Sequence, residues 1–194
     1  MLAGAMAELK VGDPGLLSTD VGPVIDADAL CMLDEHAARM QTEGKLIARA
    51  TLDPDATAHG TFFAPSAWEL QSLSQLTREN FGPALHVLRW KAGDLDQVVD
   101  AINATGYGLT LGVHSRIDET VERIVKRAKV GNLYVNRNQI GAVVGVQPFG
   151  GQNLSGTGPK AGGPHYLPRF ATEKTVTINT TAAGGNASLL TLGE

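Results

Sequence analysis

Between Asn132 and Gly163 the chain reads NLYVNRNQIGAVVGVQPFGGQNLSGTGPKAGG, and glycine recurs through it more often than any regular element sustains. Glycine inside a helix costs about 1 kcal/mol relative to alanine, and inside a strand it offers no side chain to pack. Beyond its strand-like start the segment is therefore neither a helix nor a core strand. Glycine-rich backbone reaches positive φ and approaches a ligand or another segment closely. The segment is also longer than an ordinary connection, which marks a functional loop or a linker.

The rest of the chain is ordinary enough to build a core around such a loop. Its 194 residues suit one domain of usual size, with 43% apolar and 19% charged residues. The net charge is −4 and no lysine or arginine run stands out, which argues against a nucleic-acid partner. No apolar run approaches the roughly 20 residues of a membrane span. The N-terminal MLAGAMAELKVGD lacks a basic stretch ahead of an apolar one, so it does not read as a secretory signal. A single cysteine, Cys31, rules out an internal disulfide framework and fits a reducing compartment. The expected location is cytoplasmic.

Periodicity predicts an alternation of strand and helix, hence an α/β fold. Ala3 to Leu9 reads as the end of a helix. Asp26 to Met40 reads as an amphipathic helix, capped by Asp26 or Asp28, with Ala29, Leu30, Leu33, Ala37 and Met40 on one face. Lys45 to Thr51 is a strand, and Thr61 to Leu70 is a second one interrupted by Pro65. Leu85 to Trp90 alternates as a third. A helix is expected from Asp94 to Asn103, a buried strand from Leu109 to His114, and a helix from Asp118 to Val130 with Val121, Ile124, Val125 and Ala128 inward. Asn132 to Asn136 is a short strand. Glu173 to Asn179 alternates as the last one, and the tail from Thr180 to Glu194 reads as mobile.

Familiar chemistries find little support in the residues alone. Cys31 sits mid-helix beside acidic residues, which disfavour thiolate, so it reads as a small packing residue and not as a nucleophile. The five histidines are scattered without zinc spacing, and no metal site is expected. No G-x-S-x-G elbow is present. Gly156 to Gly162 looks superficially like a phosphate loop or a dinucleotide fingerprint. Both motifs need a following helix, which Pro159, Gly162, Gly163 and Pro164 prevent, and no Ser or Thr follows Lys160. Glu79 in Glu79-Asn80-Phe81-Gly82-Pro83 is suited to accept hydrogen bonds from a ligand's hydroxyls, or is a solvated turn carboxylate.

Two separated motifs tip that balance. Glu79-x-Phe81-Gly82-Pro83 ahead of a strand resembles the E-x-F-G-P motif of the NAD(P)-dependent aldehyde dehydrogenase superfamily. Pro148-Phe149-Gly150-Gly151, followed by Ser155-Gly156-x-Gly158, resembles the superfamily's late P-F-G-G…S-G-x-G signature. Gly22-Pro23-Val24-Ile25 is similar to the turn that follows its catalytic cysteine. GYGLTLGVHSRIDET and NLYVNRNQIGAVVGVQPFGG resemble, more narrowly, the L-glutamate γ-semialdehyde (1-pyrroline-5-carboxylate) dehydrogenases. The form most resembled is the one that makes up the C-terminal half of bifunctional proline utilization A.

The resemblance implies the C-terminal part of an aldehyde dehydrogenase catalytic domain over residues 1–170. Residues 171–194 would then supply an oligomerisation strand and tail. It implies NAD as cofactor, with Glu79 holding the nicotinamide ribose and Phe81 packing near the nicotinamide. Gly141 and Ala142 would anchor the substrate's carboxylate through backbone N–H groups, and Phe149 would line the aldehyde pocket. Ala142 stands where some relatives carry Ser, and Asn80 where an aliphatic residue is usual. The family's nucleophilic cysteine, its general-base glutamate and its nucleotide-binding half precede the Gly22-Pro23 turn, and no matching segment occurs in this sequence. Cys31 follows that turn and does not align with the nucleophile. The expected partners are a small aldehyde substrate and a second subunit paired through Glu173 to Asn179. The alternatives are a non-catalytic interaction module or a dehydrogenase of another aldehyde.

Overall fold

The computed structural model describes residues 1–156 and 158–179. They form two compact units, one of residues 1–107 with 117–129 and one of residues 108–116 with the described residues from 130 onward. Helices and strands are mixed along the chain and alternate through its middle, as the periodicity predicts.

The first unit is organised by α2 (Ala27–Glu43), which follows the short α1 (Leu2–Ala7). Of the two candidate caps it is Asp26 that acts: its carboxylate accepts the Ala29 N–H at 2.8 Å. The Gly44 N–H closes the other end on the Met40 carbonyl at 2.9 Å. Leu33, Ala37 and Met40 recur at helical spacing and are buried with Phe63, Trp68 and Leu70 in one apolar cluster. Each large side chain withdrawn from water in this way contributes about 1.5–3 kcal/mol.

Beside α2 lies a three-stranded sheet in the order β1 (Lys45–Arg49), β2 (Ser66–Leu70), β3 (Ala84–Leu88). β1 runs antiparallel to β2, and β3 runs parallel to it. The strand expected from Thr61 begins only at Ser66, because Pro65 has no N–H to give a ladder. The Pro65 carbonyl instead accepts from the Ala50 N–H at 2.8 Å. A parallel pair requires a long crossover, and residues 71–83 supply it. The Glu79–Pro83 motif is the last leg of that crossover, delivering the chain into β3.

Two further helices, α3 (Leu95–Ala104) and α4 (Asp118–Arg127), bury Val99 and Ile124. Arg123 grips Asp96 at 2.7 and 2.8 Å, and Arg127 grips Asp100 at 2.8 and 2.5 Å. These pairs are exposed and align the helices more than they stabilise them. α4 stops at Arg127, short of the expected Val130, because Asn103 supplies its end with partners. The Asn103 carboxamide donates to the Arg127 carbonyl at 3.0 Å and accepts the Lys129 N–H at 2.8 Å. Val125, expected inward, is 50% exposed.

After the two-residue β4 (Tyr107–Gly108), the second unit is built on β5 (Thr110–Val113) and β6 (Asn132–Val135). These pair in parallel from Thr110↔Asn132 to Val113↔Val135. β5 is half-buried, and only Val113 in it is fully covered, so the expected buried strand is a shallower one. β6 leads into the glycine-rich loop, which contains the two-residue β7 (Gln152–Asn153). The last expected strand, Glu173 to Asn179, is not part of any sheet among the described residues. A strand is completed only by a neighbouring edge, and no strand among the described residues supplies one there. The tail expected to be mobile lies outside the described residues.

Candidate functional site

The expected site residues fall in both units: Glu79 and Phe81 in the first, Gly141, Ala142 and Phe149 in the second. Each group has a local geometry of its own.

In the first unit the crossover turn is fixed by Gly82. A Cβ on Gly82 would lie 2.5 Å from Leu33 Cδ1, so α2 occupies the space a side chain would need. The Pro83 carbonyl accepts the Ser66 N–H at 3.0 Å, and the Ala84 N–H bonds to the Gly82 carbonyl at 2.8 Å. With the turn pinned at 82 and 83, the side chains just before it project outward. Glu79 is exposed, and Phe81 is 80% exposed. An accessible carboxylate and an accessible aromatic face, two residues apart, are suited to a sugar's hydroxyls and a flat heteroaromatic ring. These residues therefore fit a dinucleotide such as NAD. Asn80 differs from both: its Oδ1 is buried without a hydrogen-bond partner among the described residues, while its Nδ2 donates to the Arg78 carbonyl at 3.1 Å.

In the second unit β6 holds both ends of a loop through two asparagines. At its start, buried Asn132 donates to the Pro148 carbonyl at 3.0 Å and accepts the Gly150 N–H at 3.1 Å. At its end, Asn136 takes φ +54°, a left-handed conformation asparagine tolerates, and the strand stops. Its carboxamide then bonds to both the N–H and the carbonyl of Ser115, at 3.0 and 2.9 Å. Residues 137–147 span the gap. Gln147 Oε1 accepts the Val143 N–H at 3.0 Å, and the Gln147 N–H returns to the Val143 carbonyl at 2.9 Å. Gly145, at φ +78°, makes that reversal possible.

Gly141 and Ala142 lie at the open part of this loop. A Cβ on Gly141 would meet no atom within 4 Å. Among the described residues no acceptor takes the N–H of either Gly141 or Ala142. Consecutive unspent N–H groups on an accessible turn are suited to an anionic group. Phe149 is half-buried and bridges to Ala161 by paired backbone bonds of 3.0 and 2.9 Å.

Lys160, the residue that lends the segment its phosphate-loop look, donates to the Gly131 carbonyl. It is a strut, and a 3-10 turn at Leu167–Phe170 is the first helical structure after it. Cys31 is exposed, with Sγ 3.8 Å from Glu35 Oε1, so it is not the packing residue the sequence suggests. No group of three or more metal-ligating side chains occurs among the described residues.

Sequence reasoning missed a histidine pair as well as the asparagine clamps. His36 Nε2 lies 2.8 Å from His86 Nε2, with the rings edge-on. Burial first, then the neighbouring His86 and Arg39, lowers the His36 pKa from 6.5 to about 4. Burial followed by Arg39 lowers that of His86. Fifty residues separate the two, and no sequence spacing announces such a pair. The asparagines did leave a trace: a polar residue at each end of the apolar run NLYVN.

The motifs lie within a stretch that matches a known family. A model described as the aldehyde dehydrogenase family matches residues 1–176. The chain belongs to the aldehyde dehydrogenase family. Within that family it is 54% identical, over 178 residues, to the bifunctional protein PutA of Klebsiella aerogenes, covering 90% of this chain and 14% of that one. A solved structure of a mutant Bradyrhizobium japonicum proline utilization A superposes with a TM-score of 0.87 at 61% identity, over 93% of this chain and 18% of that one. A Thermus 1-pyrroline-5-carboxylate dehydrogenase with bound NAD superposes with a TM-score of 0.75 at 39% identity, over 86% of this chain and 32% of that one. The aldehyde dehydrogenase match thus spans nearly all of this chain but a minor part of each relative.

Proposed function

We propose that this chain is the C-terminal portion of an NAD-dependent L-glutamate γ-semialdehyde dehydrogenase, which oxidises the semialdehyde to glutamate in proline catabolism. The observation that carries the reading is the open turn at Gly141 and Ala142. It offers two unspent N–H groups, the donors that a substrate with a carboxylate at one end requires. Phe149 walls the aldehyde end, and Glu79 and Phe81 hold the nicotinamide riboside. NAD, when bound, accepts the hydride. The aldehyde is attacked by a thiolate that this chain does not supply, since Cys31 lies on α2 beside Glu35. In this reading residues 1–170 are the partial catalytic domain, residues 171–194 the oligomerisation strand and tail, and the location is cytoplasmic. No helix among the described residues is long and apolar enough to cross a membrane.

The test is NADH absorbance from the purified 194-residue chain with NAD and glutamate semialdehyde. No production above a no-protein control is expected, and sustained turnover overturns the reading of an incomplete site. Substrate choice is tested in a full-length enzyme carrying this chain, where glutamate semialdehyde should be preferred to short aliphatic aldehydes.

A second reading, a non-catalytic interaction module, draws on Val176 and Ile178, which are 66% and 74% exposed. Sedimentation separates the two: a discrete oligomer of the isolated chain favours the module, polydisperse association the incomplete enzyme.

A further inference from the structure

We infer that Arg137 is a positioning residue for the carboxylate-binding turn, acting through the peptide between Gly141 and Ala142; this rests on the reading of that turn given above. The Arg137 guanidinium lies 4.7 Å from the centroid of the Tyr134 ring, which fixes it over β6. From there it donates to three loop acceptors: the Asn138 carbonyl at 3.2 Å, Gln147 Oε1 at 3.3 Å and the Gly141 carbonyl at 3.4 Å. It forms no ion pair with any carboxylate among the described residues.

Two consequences follow from elementary geometry and electrostatics. A trans peptide is planar, with its C=O and N–H pointing in opposite directions. A cation holding the Gly141 oxygen on one side therefore aims the Ala142 N–H to the other, where no atom of the described residues accepts it. The same contact draws electron density toward the oxygen and strengthens the N–H as a donor. In addition the guanidinium leaves a positive charge, unpaired with any carboxylate among the described residues, beside the backbone proposed to receive an anion. Gln147 completes the device, because its Oε1 accepts from both Arg137 and the Val143 N–H. Arg137 itself does not touch the substrate.

The experiment splices the full chain in place of the matched segment of Bradyrhizobium japonicum proline utilization A. It measures KM and kcat for glutamate semialdehyde and for propanal, which has no carboxylate. For Arg137→Gln the KM for the semialdehyde should rise about tenfold or more, the weakening of one N–H bond to a charged group, with kcat changed far less. The KM for propanal should stay the same. Arg137→Lys keeps the charge but not the fork, and should recover part of the loss; it also decides the matter if the glutamine variant fails to fold. An unchanged semialdehyde KM in both variants, or an equal rise for both aldehydes, overturns the positioning role. If the unsubstituted chimera does not prefer the semialdehyde, or is inactive toward both aldehydes, the carboxylate-turn reading fails first and the inference falls with it.

Discussion

Leu33 fills the space that any side chain on Gly82 would need. The methyl carbons of Leu33 would sit 2.5 and 2.7 Å from a Cβ at that position. The glycine of the Glu79–Pro83 motif is thus demanded by a core leucine on α2, and not by the turn's own dihedral angles.

Gly82→Ala is expected to destabilise the chain by about 1–3 kcal/mol, the usual cost of forcing a methyl into a packed site. Leu33→Ala should cost about 2–5 kcal/mol alone by leaving a cavity. Combined, the two should cost less than their sum, since each relieves the other. A double-mutant cycle by urea denaturation measures the coupling, and strict additivity would show that the two do not compete for one space.

Asn132→Ala removes the clamp on the far end of the loop proposed to bind the carboxylate. Two partners, the buried Gly150 N–H and the part-buried Pro148 carbonyl, lose their bonds. The expected cost is about 1–3 kcal/mol per unsatisfied group, and amide exchange at Gly150 should accelerate well ahead of exchange in β2. Protection of Gly150 equal to the parent's would place the restraint elsewhere.

The histidine pair predicts a pH dependence with a definite sign. Folding lowers the His36 pKa from 6.5 to about 4, so between those values the unfolded chain binds the proton and the folded chain does not. Stability is complete above pH 6.5 and falls as the pH drops toward 4. Protonating both rings would also set two N–H donors against each other across 2.8 Å. Glu43 opposes the shift, while Arg39 and Arg78 reinforce it. Chemical denaturation from pH 7.5 to 4 should show the decline, and His36→Gln should flatten it. A parent curve level across that range excludes the pair as its source.

Val176 and Ile178 share one side of the segment expected to pair between subunits, since i and i+2 face the same way in extended chain. In a full-length enzyme carrying this chain, Val176→Asp with Ile178→Asp should shift sedimentation toward a smaller species. Unchanged sedimentation would remove this segment from the subunit contact.

Much of the architecture was legible in the residues because it rests on local rules. Asp26 announces the start of α2, the spacing of Leu33, Ala37 and Met40 gives its buried face, and Pro65 interrupts the strand ahead of β2. The motifs that carry Glu79, Phe81 and Phe149 were legible as well, and the family they resemble is the one the chain belongs to. What stayed hidden depends on partners far apart in sequence. His36 meets His86 only because α2 packs on the sheet. α4 ends at Arg127 only because Asn103 reaches its last turn. Residues 173–179 have the alternation of a strand and, among the described residues, no neighbouring strand to make them one.

The glycine-rich segment divides along the same line. Its sequence by itself determined that it would be irregular backbone, because glycine at that frequency forbids a helix and a packed strand. Only the tertiary structure decided which of its groups are spent on holding the loop and which are left over. Asn132, Asn136 and Gln147 use their carboxamides to tie the loop down, Lys160 ties the neighbouring backbone, and no acceptor among the described residues takes the N–H groups of Gly141 and Ala142. Hydrogen bonds between residues many positions apart make that division, and no local pattern in a one-dimensional chain encodes it.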